Sequence, residues 1–509
     1  MSLARTTIVL LAITLLSRIL GVVREMVIAW RFGASADTDA FFVAFSIPWA
    51  FYSLVGGSLT AVIIPLLAGY DAKGQHEEAR RAASLVINTV LLSVGALAVL
   101  GMIGAPQIAW LLGGGFDAPT LQRAAQFTAW MMPSIIFMSV AGVLAGILNH
   151  RQVFGQPAFG PVAMNVAIIL GAVVGGAWVG IDGLVVGALL GAISFMAVQL
   201  PALRRTGFRH RWTFSLKDPV VSRIAGMLWP VMLVSGLGFI YTVIDFRLAS
   251  GLVEGSVTAL NYALKLIQLP QGLFVLAVTT VIFPSLSKLA ANAQQVEMAA
   301  LLRKGLRIIL LLAVPGTVGL MVIGQPLIEL LFQRGAFGPE ATARTSGALL
   351  FLSLGLIGFC LNLPLIRAFY ALNDRWTPLR VGSVFIIVKL VLSLVLVGRM
   401  QHSGLALATS ITILFNAFAL ALLLLRRIPG LFNGAFLVFV RKVLGGAIIM
   451  GVGISQLDNV LATSFHADAL LLGRVIIVVL IGAMLFSVTV WLFRVEEVLN
   501  MAKRIRQFV

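Results

Sequence analysis

Long apolar stretches alternate with short polar turns along the whole chain, and most of these stretches exceed the roughly 20 apolar residues that cross a bilayer. The apolar runs are continuous rather than alternating, which favours transmembrane helices over the strands of a membrane barrel. Pro48 and Pro270 interrupt the long second and eighth stretches, so we expect both to bend. Turn and charge signals predict fourteen spans: 8–30, 37–68, 84–112, 123–148, 158–178, 183–203, 223–249, 257–287, 305–331, 342–370, 379–398, 404–425, 438–457 and 469–493.

Composition agrees with this pattern and excludes a soluble domain. Of the 509 residues, 60% are hydrophobic and 11% are charged, and the mean hydropathy is +1.03, so we predict an all-α, multi-pass membrane protein. The net charge of +18 does not indicate nucleic acid, because Lys and Arg accumulate in the cytoplasmic loops of membrane proteins. With the N-terminus inside, 25 of the 37 basic residues fall on the cytoplasmic side, six on the outer side and six within spans, which predicts cytoplasmic termini.

Charged residues within the predicted spans are the first candidates for a functional site. Each costs at least about 2.5–3.5 kcal/mol at the bilayer centre, so such residues usually face a polar cavity or a partner. Arg367 and Lys389 lie near cytoplasmic span ends, where we expect them to snorkel. Because bases outnumber acids, we expect an anionic substrate. The bases are Arg18, Arg24, Arg247, Lys265, Arg367 and Lys389, and the acids are Glu25, Asp39 and Asp245.

The chain also contains an internal repeat with an offset of about 219–224 residues. Among four ordered matches, residues 60–68 (TAVIIPLLA) pair with residues 279–287 (TTVIFPSLS). Each repeat holds six predicted spans, an even number, so both have the same orientation, as in transporters built from parallel repeats. We therefore predict an N-lobe at 1–205, a basic cytoplasmic linker at 206–222, a C-lobe at 223–427, two additional spans at 428–493, and a basic amphipathic cytoplasmic tail at 494–509.

Several motifs carry a resemblance to a known family. The segment SRILGVVRE (17–25), followed by FGASADTDAFFVAFSIP (32–48), resembles the opening of the MurJ (MviN) family of lipid II flippases. That family belongs to the multidrug/oligosaccharidyl-lipid/polysaccharide exporter superfamily. The resemblance continues in order through VIFPSLSKLA, LFQRGAF and RAFYALNDRWTP, and so covers nearly the whole chain.

The resemblance implies a fold, a cargo and a set of site residues. It implies two six-helix lobes with a cationic central cavity, and a groove formed by the last two helices for a polyprenyl tail. The implied cargo is lipid II, undecaprenyl-diphosphate carrying a disaccharide-pentapeptide, which the family moves to the outer leaflet of the bacterial plasma membrane for peptidoglycan assembly. The family's cavity arginines of the first helix fall on Arg18 and Arg24, and its acidic residue after the first outer turn falls on Asp39.

Two positions depart from the family's pattern. Many relatives have two arginines after the proline of the second span, where this chain has Trp49, Tyr52 and Ser53. In the eighth span many have an Asp-Arg pair, where this chain has Leu264 and Lys265. Lys265 keeps a positive charge but lacks the bidentate fork with which arginine binds a diphosphate.

The chemistry of the site residues leaves alternatives open. Arg18 and Arg24 are six residues apart and thus about 120° apart on a straight helix, so they converge on one anion only if the helix bends at Gly21. Otherwise one of them pairs with an acid such as Glu25. Asp39 either caps its helix or acts as a gate or arginine partner.

Lys265 and Asp245 are the remaining candidates for the site. Lys265 has no acid nearby in its own helix, so we expect it to face the cavity. Asp245 either couples transport to Na⁺ or H⁺, or forms an interfacial pair; Glu25 is a second candidate for coupling or gating.

Other functions fit the sequence less well. Cation-coupled drug efflux favours an acidic cavity, and a membrane enzyme needs an acid–base or nucleophile cluster, which the short outer loops do not offer. Export of another polyprenyl-linked oligosaccharide remains the main alternative. We expect no cofactor and no metal. The sequence contains no ATP-binding motif, so a gradient of Na⁺ or H⁺, the membrane potential or product removal would supply the energy. Expected partners are the polyprenyl-diphosphate-linked glycan, anionic membrane lipids and the peptidoglycan synthesis machinery.

Overall fold

The computed structural model describes residues 3–215, 217–292, 294–464 and 468–499. Within these ranges the chain forms helices and turns and contains no strand, so the prediction of an all-α protein is confirmed. The helices are α1 (Leu3–Phe32), α2 (Ala36–Phe51), α3 (Gly57–Asp71), α4 (His76–Ile103), α5 (Ala105–Gly113), α6 (Ala118–Met131), α7 (Ser134–His150), α8 (Gly155–Leu170), α9 (Gly176–Val179), α10 (Ile181–Ala197), α11 (Leu200–Arg205), α12 (Pro219–Ala249), α13 (Ser256–Ala291), α14 (Gln295–Phe332), α15 (Pro339–Ala371), α16 (Trp376–Arg427), α17 (Gly434–Ser464) and α18 (Asp468–Leu492).

The helices are those of a multi-pass membrane protein. In the described ranges, ten helical stretches are long and apolar enough to cross a membrane. The longest is α16, whose 52 residues pass through Gln401, where φ is 50° and ψ is −132°. The predicted spans 379–398 and 404–425 fall on either side of this non-helical residue. The total of fourteen spans stays a prediction.

The second predicted span is interrupted after its proline. Pro48 lies inside α2 and has no N–H to donate, and a π-helical turn at Tyr52–Gly56 follows before α3 begins. The N–H of Tyr52 donates to the carbonyl oxygens of both Pro48 and Trp49, so the helical path continues into α3. At Pro270, by contrast, α13 continues as one helix.

Contacts divide the chain into two compact units. The first comprises the chain up to Thr258 together with Arg334–Gly338, and the second comprises Ala259–Gln333 and the chain from Pro339 onward. The predicted lobe, linker and tail limits stay predictions, and residues 500–509 of the predicted tail lie outside the described residues.

Close helix packing holds the first unit together. Within it, α1 packs on α8, α8 on α10, α3 on α7 and α2 on α6. Gly171 and Gly187 make one of the closest approaches, because a Cβ added at Gly171 would lie 2.4 Å from the Cα of Gly187. Small residues of this kind let helices pack by van der Waals contact in lipid, where the hydrophobic effect between helices is absent.

In the second unit, α14 packs on α15 and α15 on α16, while α17 and α18 form a hairpin that packs on α14. Leu302, Leu306, Phe369, Leu424 and Phe439 belong to its buried core. The hairpin is thus held by apolar packing against α14.

Candidate functional site

Arg24 is buried in the first unit and has three partners. Its guanidinium donates through Nη2 to Oε1 of the adjacent Glu25 and through Nη1 to Oδ1 of Asn165 on α8, at 3.1 Å. It also lies over the ring of Phe45 on α2, 5.6 Å from the ring centroid. Asn165 donates in turn to the carbonyl oxygen of Ser17, at 3.1 Å, which ties α8 to α1 at this point.

The Arg24–Glu25 pair is almost fully withdrawn from solvent, with 9% of Arg24 and 1% of Glu25 exposed. Among the described residues, Oε2 of Glu25 accepts no hydrogen bond although it is buried. Burying two charged groups costs desolvation free energy, and removing one partner would leave the other charge uncompensated. The pairing of an arginine with an acid, one of the two alternatives from the sequence, is therefore what the structure adopts at Arg24.

Arg18 differs from Arg24 in its environment. It is half-buried on α1, which continues as an α-helix through Gly21. On a straight helix the six-residue separation directs Arg18 and Arg24 to different sides. The structure thus brings Arg24 and Glu25 together with Asn165, a residue that the sequence did not single out.

Asp39 is buried and receives hydrogen bonds from the beginning of α13. Its Oδ2 accepts from the N–H of Gly255 at 2.8 Å, and its Oδ1 accepts from the N–H and the hydroxyl of Thr258, at 2.7 and 2.6 Å. The cap of its own helix is Ser35, whose side chain accepts from the N–H of Thr38. Asp39 therefore does not cap α2; its carboxylate satisfies the unpaired N–H groups of a helix more than 200 residues further along the chain.

The turn between α1 and α2 is also enclosed by backbone contacts. The carbonyl oxygen of Trp30 accepts a hydrogen bond from the N–H of Ala336, at 2.9 Å. A Cβ added at Gly255 would lie 2.6 Å from the carbonyl oxygen of Ala34, and one at Gly335 would lie 2.3 Å from that of Trp30. Both glycines have positive φ, so their backbone conformation and the close approach each require glycine. These contacts and Asp39 form a closed end of the first unit.

The remaining sequence candidates lie on other helices. Asp245 on α12 is 7% exposed in the first unit, and Lys265 on α13 is half-buried in the second. Arg247, two residues from Asp245, lies over the ring of Trp110, 5.4 Å from its centroid.

Lys389 corrects one expectation from the sequence. It was expected to snorkel, but it is 0% exposed, and its Nζ donates to the hydroxyl of Thr409 at 2.5 Å. The two residues lie on either side of Gln401, so this bond joins the two halves of α16. The expectation was wrong because position along a helix does not show what packs against it.

An apolar groove lies in the second unit. Its volume is about 690 Å³, and it lies among α13, α14, α17 and α18. Its walls include the large apolar side chains of Phe274, Leu320, Met450 and Phe486. Three glycines also line it and leave space between these side chains. These are Gly316, Gly319 and Gly482. A Cβ added at Gly319 would meet no heavy atom within 4 Å, so the groove has free width there.

A bidentate ion pair fastens the hairpin that forms one wall of this groove. Arg474 on α18 donates to both carboxylate oxygens of Asp458 on α17, at 2.7 and 2.8 Å. The side chains are 16% and 13% exposed, so water screens the pair only partly. This pair was not predicted from the sequence.

In the described part of the chain, no three His, Cys, Asp or Glu side chains form a group that could hold a metal ion. Asn165 was not among the residues predicted from the sequence, although it could have been. It is an isolated amide in an apolar span, and such residues usually form a hydrogen bond to a neighbouring helix. The glycines that line the groove have no sequence pattern that predicts their position there.

Solved structures with a similar fold define the class. The chain is similar to a structure described as "Lipid II flippase MurJ, inward closed conformation", with a TM-score of 0.81 and 26% identity over 94% of this chain and 98% of that one. An inward-facing multidrug resistance MATE family transporter of the MOP superfamily follows with a TM-score of 0.68, but at 14% identity it shares the fold alone. The chain therefore shares its fold with a lipid II flippase and with a MATE family transporter.

Sequence comparisons identify the family within this class. The family model described as "Lipid II flippase MurJ" matches residues 28–476. A lipid II flippase MurJ from Burkholderia cenocepacia is 31% identical over 88% of this chain and 89% of its own length. A probable lipid II flippase MurJ from Vibrio cholerae is 31% identical over 90% of both chains. The chain belongs to the MurJ family of lipid II flippases.

Proposed function

We propose that this protein is a lipid II flippase, a transporter rather than an enzyme. It moves undecaprenyl-diphosphate carrying a disaccharide-pentapeptide from the inner to the outer leaflet by alternating access. The observation that carries the proposal is the family match over residues 28–476. Curated relatives in two organisms bear the same lipid II name, so another polyprenyl-linked oligosaccharide is not favoured as the cargo.

In this proposal Arg24 binds the diphosphate. Arginine suits a diphosphate because its planar fork donates two parallel hydrogen bonds to phosphate oxygens. Glu25 neutralises Arg24 while no substrate is bound, and Asn165 keeps one edge of the guanidinium fixed. Binding then exchanges one anionic partner for another, so Arg24 never stands alone in a region of low polarity.

Arg18 and Lys265 add positive charge to the proposed substrate site. Both are half-buried, so each can change its partner at lower cost than Arg24. The apolar groove holds the polyprenyl tail, since its walls offer hydrocarbon contact and its glycines leave width for a branched chain.

Asp39 serves as a gate in this proposal. It holds the first turn of α13 by three hydrogen bonds to Gly255 and Thr258. Opening of the closed end breaks these bonds and exposes the carboxylate to water, which compensates for the loss. Glu25 and Asp245 are the buried acids that could carry coupling by Na⁺, H⁺ or membrane potential.

Topology and partners complete the proposal. We place both termini in the cytoplasm and the protein in the bacterial plasma membrane, in keeping with the predominance of Lys and Arg in one set of loops. The predicted organisation is two six-span lobes, 1–205 and 223–427, followed by two spans at 428–493. Anionic lipids and the peptidoglycan synthesis machinery are the proposed partners besides the lipid-linked glycan.

Depletion and complementation test this function. A bacterium whose own lipid II flippase can be shut off receives this chain, and growth is scored together with lipid II translocation. We expect rescue of growth and outer-leaflet lipid II. If the chain is stably inserted but neither rescues growth nor moves lipid II, the proposed function is wrong.

A further inference from the structure

The segment between α11 and α12 has an unusual composition for a short loop. Residues 204–217, RRTGFRHRWTFSLK, contain five basic residues, three large aromatic residues and no acid. Partial burial lowers the pKa of His210 below its usual value, so the positive charge at neutral pH comes from arginine and lysine. Basic and aromatic side chains together are typical of a membrane–water boundary.

This segment is attached to α4 through its backbone. The side-chain amide of Asn88 donates to the carbonyl oxygens of Arg211 and Thr213, at 2.9 and 2.8 Å. The N–H of Arg211 donates to the hydroxyl of Ser84 at 3.3 Å. Asn88 is 1% exposed and Ser84 is 0% exposed, so these anchors come from the interior and not from the surface.

The anchors place the segment at the start of the apolar part of α4. The first turns of α4 carry the charged residues up to Arg81, and no charged residue follows as far as Ile103. Asn88 is seven residues beyond Arg81, which is about 10 Å along a helix that rises about 1.5 Å per residue. Backbone groups near the edge of the hydrocarbon need hydrogen-bond partners because lipid tails offer none, and Asn88 donates to two such carbonyl oxygens.

The Arg211 guanidinium pairs with Glu77 on α4 at 3.4 Å, whereas two large aromatic side chains of this segment are exposed. Trp212 is 77% exposed and Phe214 is 54% exposed. His210 packs edge-on against Trp212, with ring centroids 5.2 Å apart. Arg205 and Arg209 are exposed on the same segment. Exposed aromatic side chains beside several cations match the boundary of a leaflet that contains anionic headgroups.

We propose that residues 204–215 form a membrane anchor that inserts Trp212 and Phe214 at the headgroup boundary and binds anionic phospholipid headgroups through its arginines. The anchor goes beyond the proposed transport function and does not depend on the cargo. It gives α11 and α12 a fixed depth in the leaflet that the segment faces.

Quenching by brominated lipids in nanodiscs tests the anchor on the full-length protein. Equal parts of phosphatidylcholine and phosphatidylglycerol are used, and the bromine is carried near the headgroup by one lipid or the other. Trp212 is one of nine tryptophans, so its signal is the difference between the wild type and a Trp212→Phe variant. We expect quenching from both lipids, at least about twofold stronger from phosphatidylglycerol, because each nearby base attracts anionic lipid by about 1 kcal/mol.

Two charge variants separate this anchor from a general effect of net charge. Arg205→Gln with Arg209→Gln should bring the quenching ratio close to one, whereas Arg375→Gln with Arg380→Gln, which removes two exposed charges elsewhere, should leave it unchanged. Absence of quenching by either lipid would place Trp212 in water and overturn the proposal. Equal quenching by both lipids in the wild type would overturn the binding of anionic headgroups.

Discussion

The polar cluster around Arg24 and the apolar groove of the second unit solve opposite problems. In the cluster, a buried cation is kept in place by an acid, an amide and an aromatic ring. In the groove, large apolar walls surround space that glycines leave open. Arg24 is thus surrounded by side chains that contact it, whereas the groove is open because glycines have no side chain.

This difference teaches how one protein can handle an amphiphile. In the proposed function, a diphosphate requires a positive group that is stable in the membrane before the ligand binds, and the charge of Glu25 stabilises Arg24 in that state. A polyprenyl tail requires no polar partner and competes with lipid for the same space, so it needs only shape. We therefore expect substitutions in the cluster to affect every ligand with a diphosphate, and substitutions in the groove to affect only ligands with long tails.

Removal of the charges at Arg24 should have the largest effect. Arg24→Gln alone leaves Glu25 buried and unpaired, so we pair it with Glu25→Gln to keep the fold. The double variant should bind lipid II and a soluble short-chain analogue at least about tenfold more weakly, because a hydrogen bond to a charged group contributes about 1.5–3 kcal/mol. Binding to both ligands and translocation are measured.

Glu25→Gln alone is the control for this prediction. The glutamine still offers Arg24 an acceptor oxygen, and Asn165 and Phe45 remain in contact with it, so the variant should be expressed normally. Diphosphate binding should be retained or become tighter, because no acid competes for Arg24, while transport slows. Unchanged binding of both ligands by the double variant at normal expression would remove Arg24 from the site.

Filling the groove should have the next largest effect and should separate the two regions. Gly319→Leu places a side chain in open space, so the helix should tolerate it. Binding of full-length lipid II should weaken about tenfold, since the leucine displaces roughly two CH₂ groups of the tail at about 0.8 kcal/mol each. Binding of the short-chain analogue should not change.

Gly398→Leu is a matched control, because it also adds a leucine in open space of the second unit but outside the groove. It should bind both ligands as the wild type does. Equal weakening of the two ligands by Gly319→Leu would mean that the groove does not hold the tail.

Loss of the amide at Asn165 should have a smaller effect, confined to the polar cluster. Asn165→Leu keeps the volume but removes the acceptor that fixes Arg24, which contributes about 1 kcal/mol, so binding of both ligands should fall about fivefold. Asn165→Asp keeps the acceptor and adds a competing negative charge, so it should weaken binding further. An Asp variant that binds better than the Leu variant would argue against competition for Arg24.

The sequence predicted the helical class and the presence of charged residues within apolar helices, because apolar runs and charges are local features. It did not predict which partners these charges have. Asn165 lies 141 residues from Arg24, and the start of α13 lies more than 200 residues from Asp39, so only the folded chain brings them together. The groove was implied by family resemblance, but its width depends on glycines from α14 and α18, which have no distinctive pattern of their own.

The ion pair between Asp458 and Arg474 should have the smallest effect and should connect the groove to its support. Asp458→Asn keeps the shape but weakens the bidentate contact between α17 and α18. We expect faster amide exchange in both helices, and about twofold weaker binding of full-length lipid II, since only about 0.5 kcal/mol of coupling reaches the groove. The short-chain analogue should bind as before. Asp458→Arg combined with Arg474→Asp restores opposite charges and should recover both exchange and binding; if the swapped pair behaves like the single variant, then apolar packing against α14 and not this ion pair sets the shape of the groove.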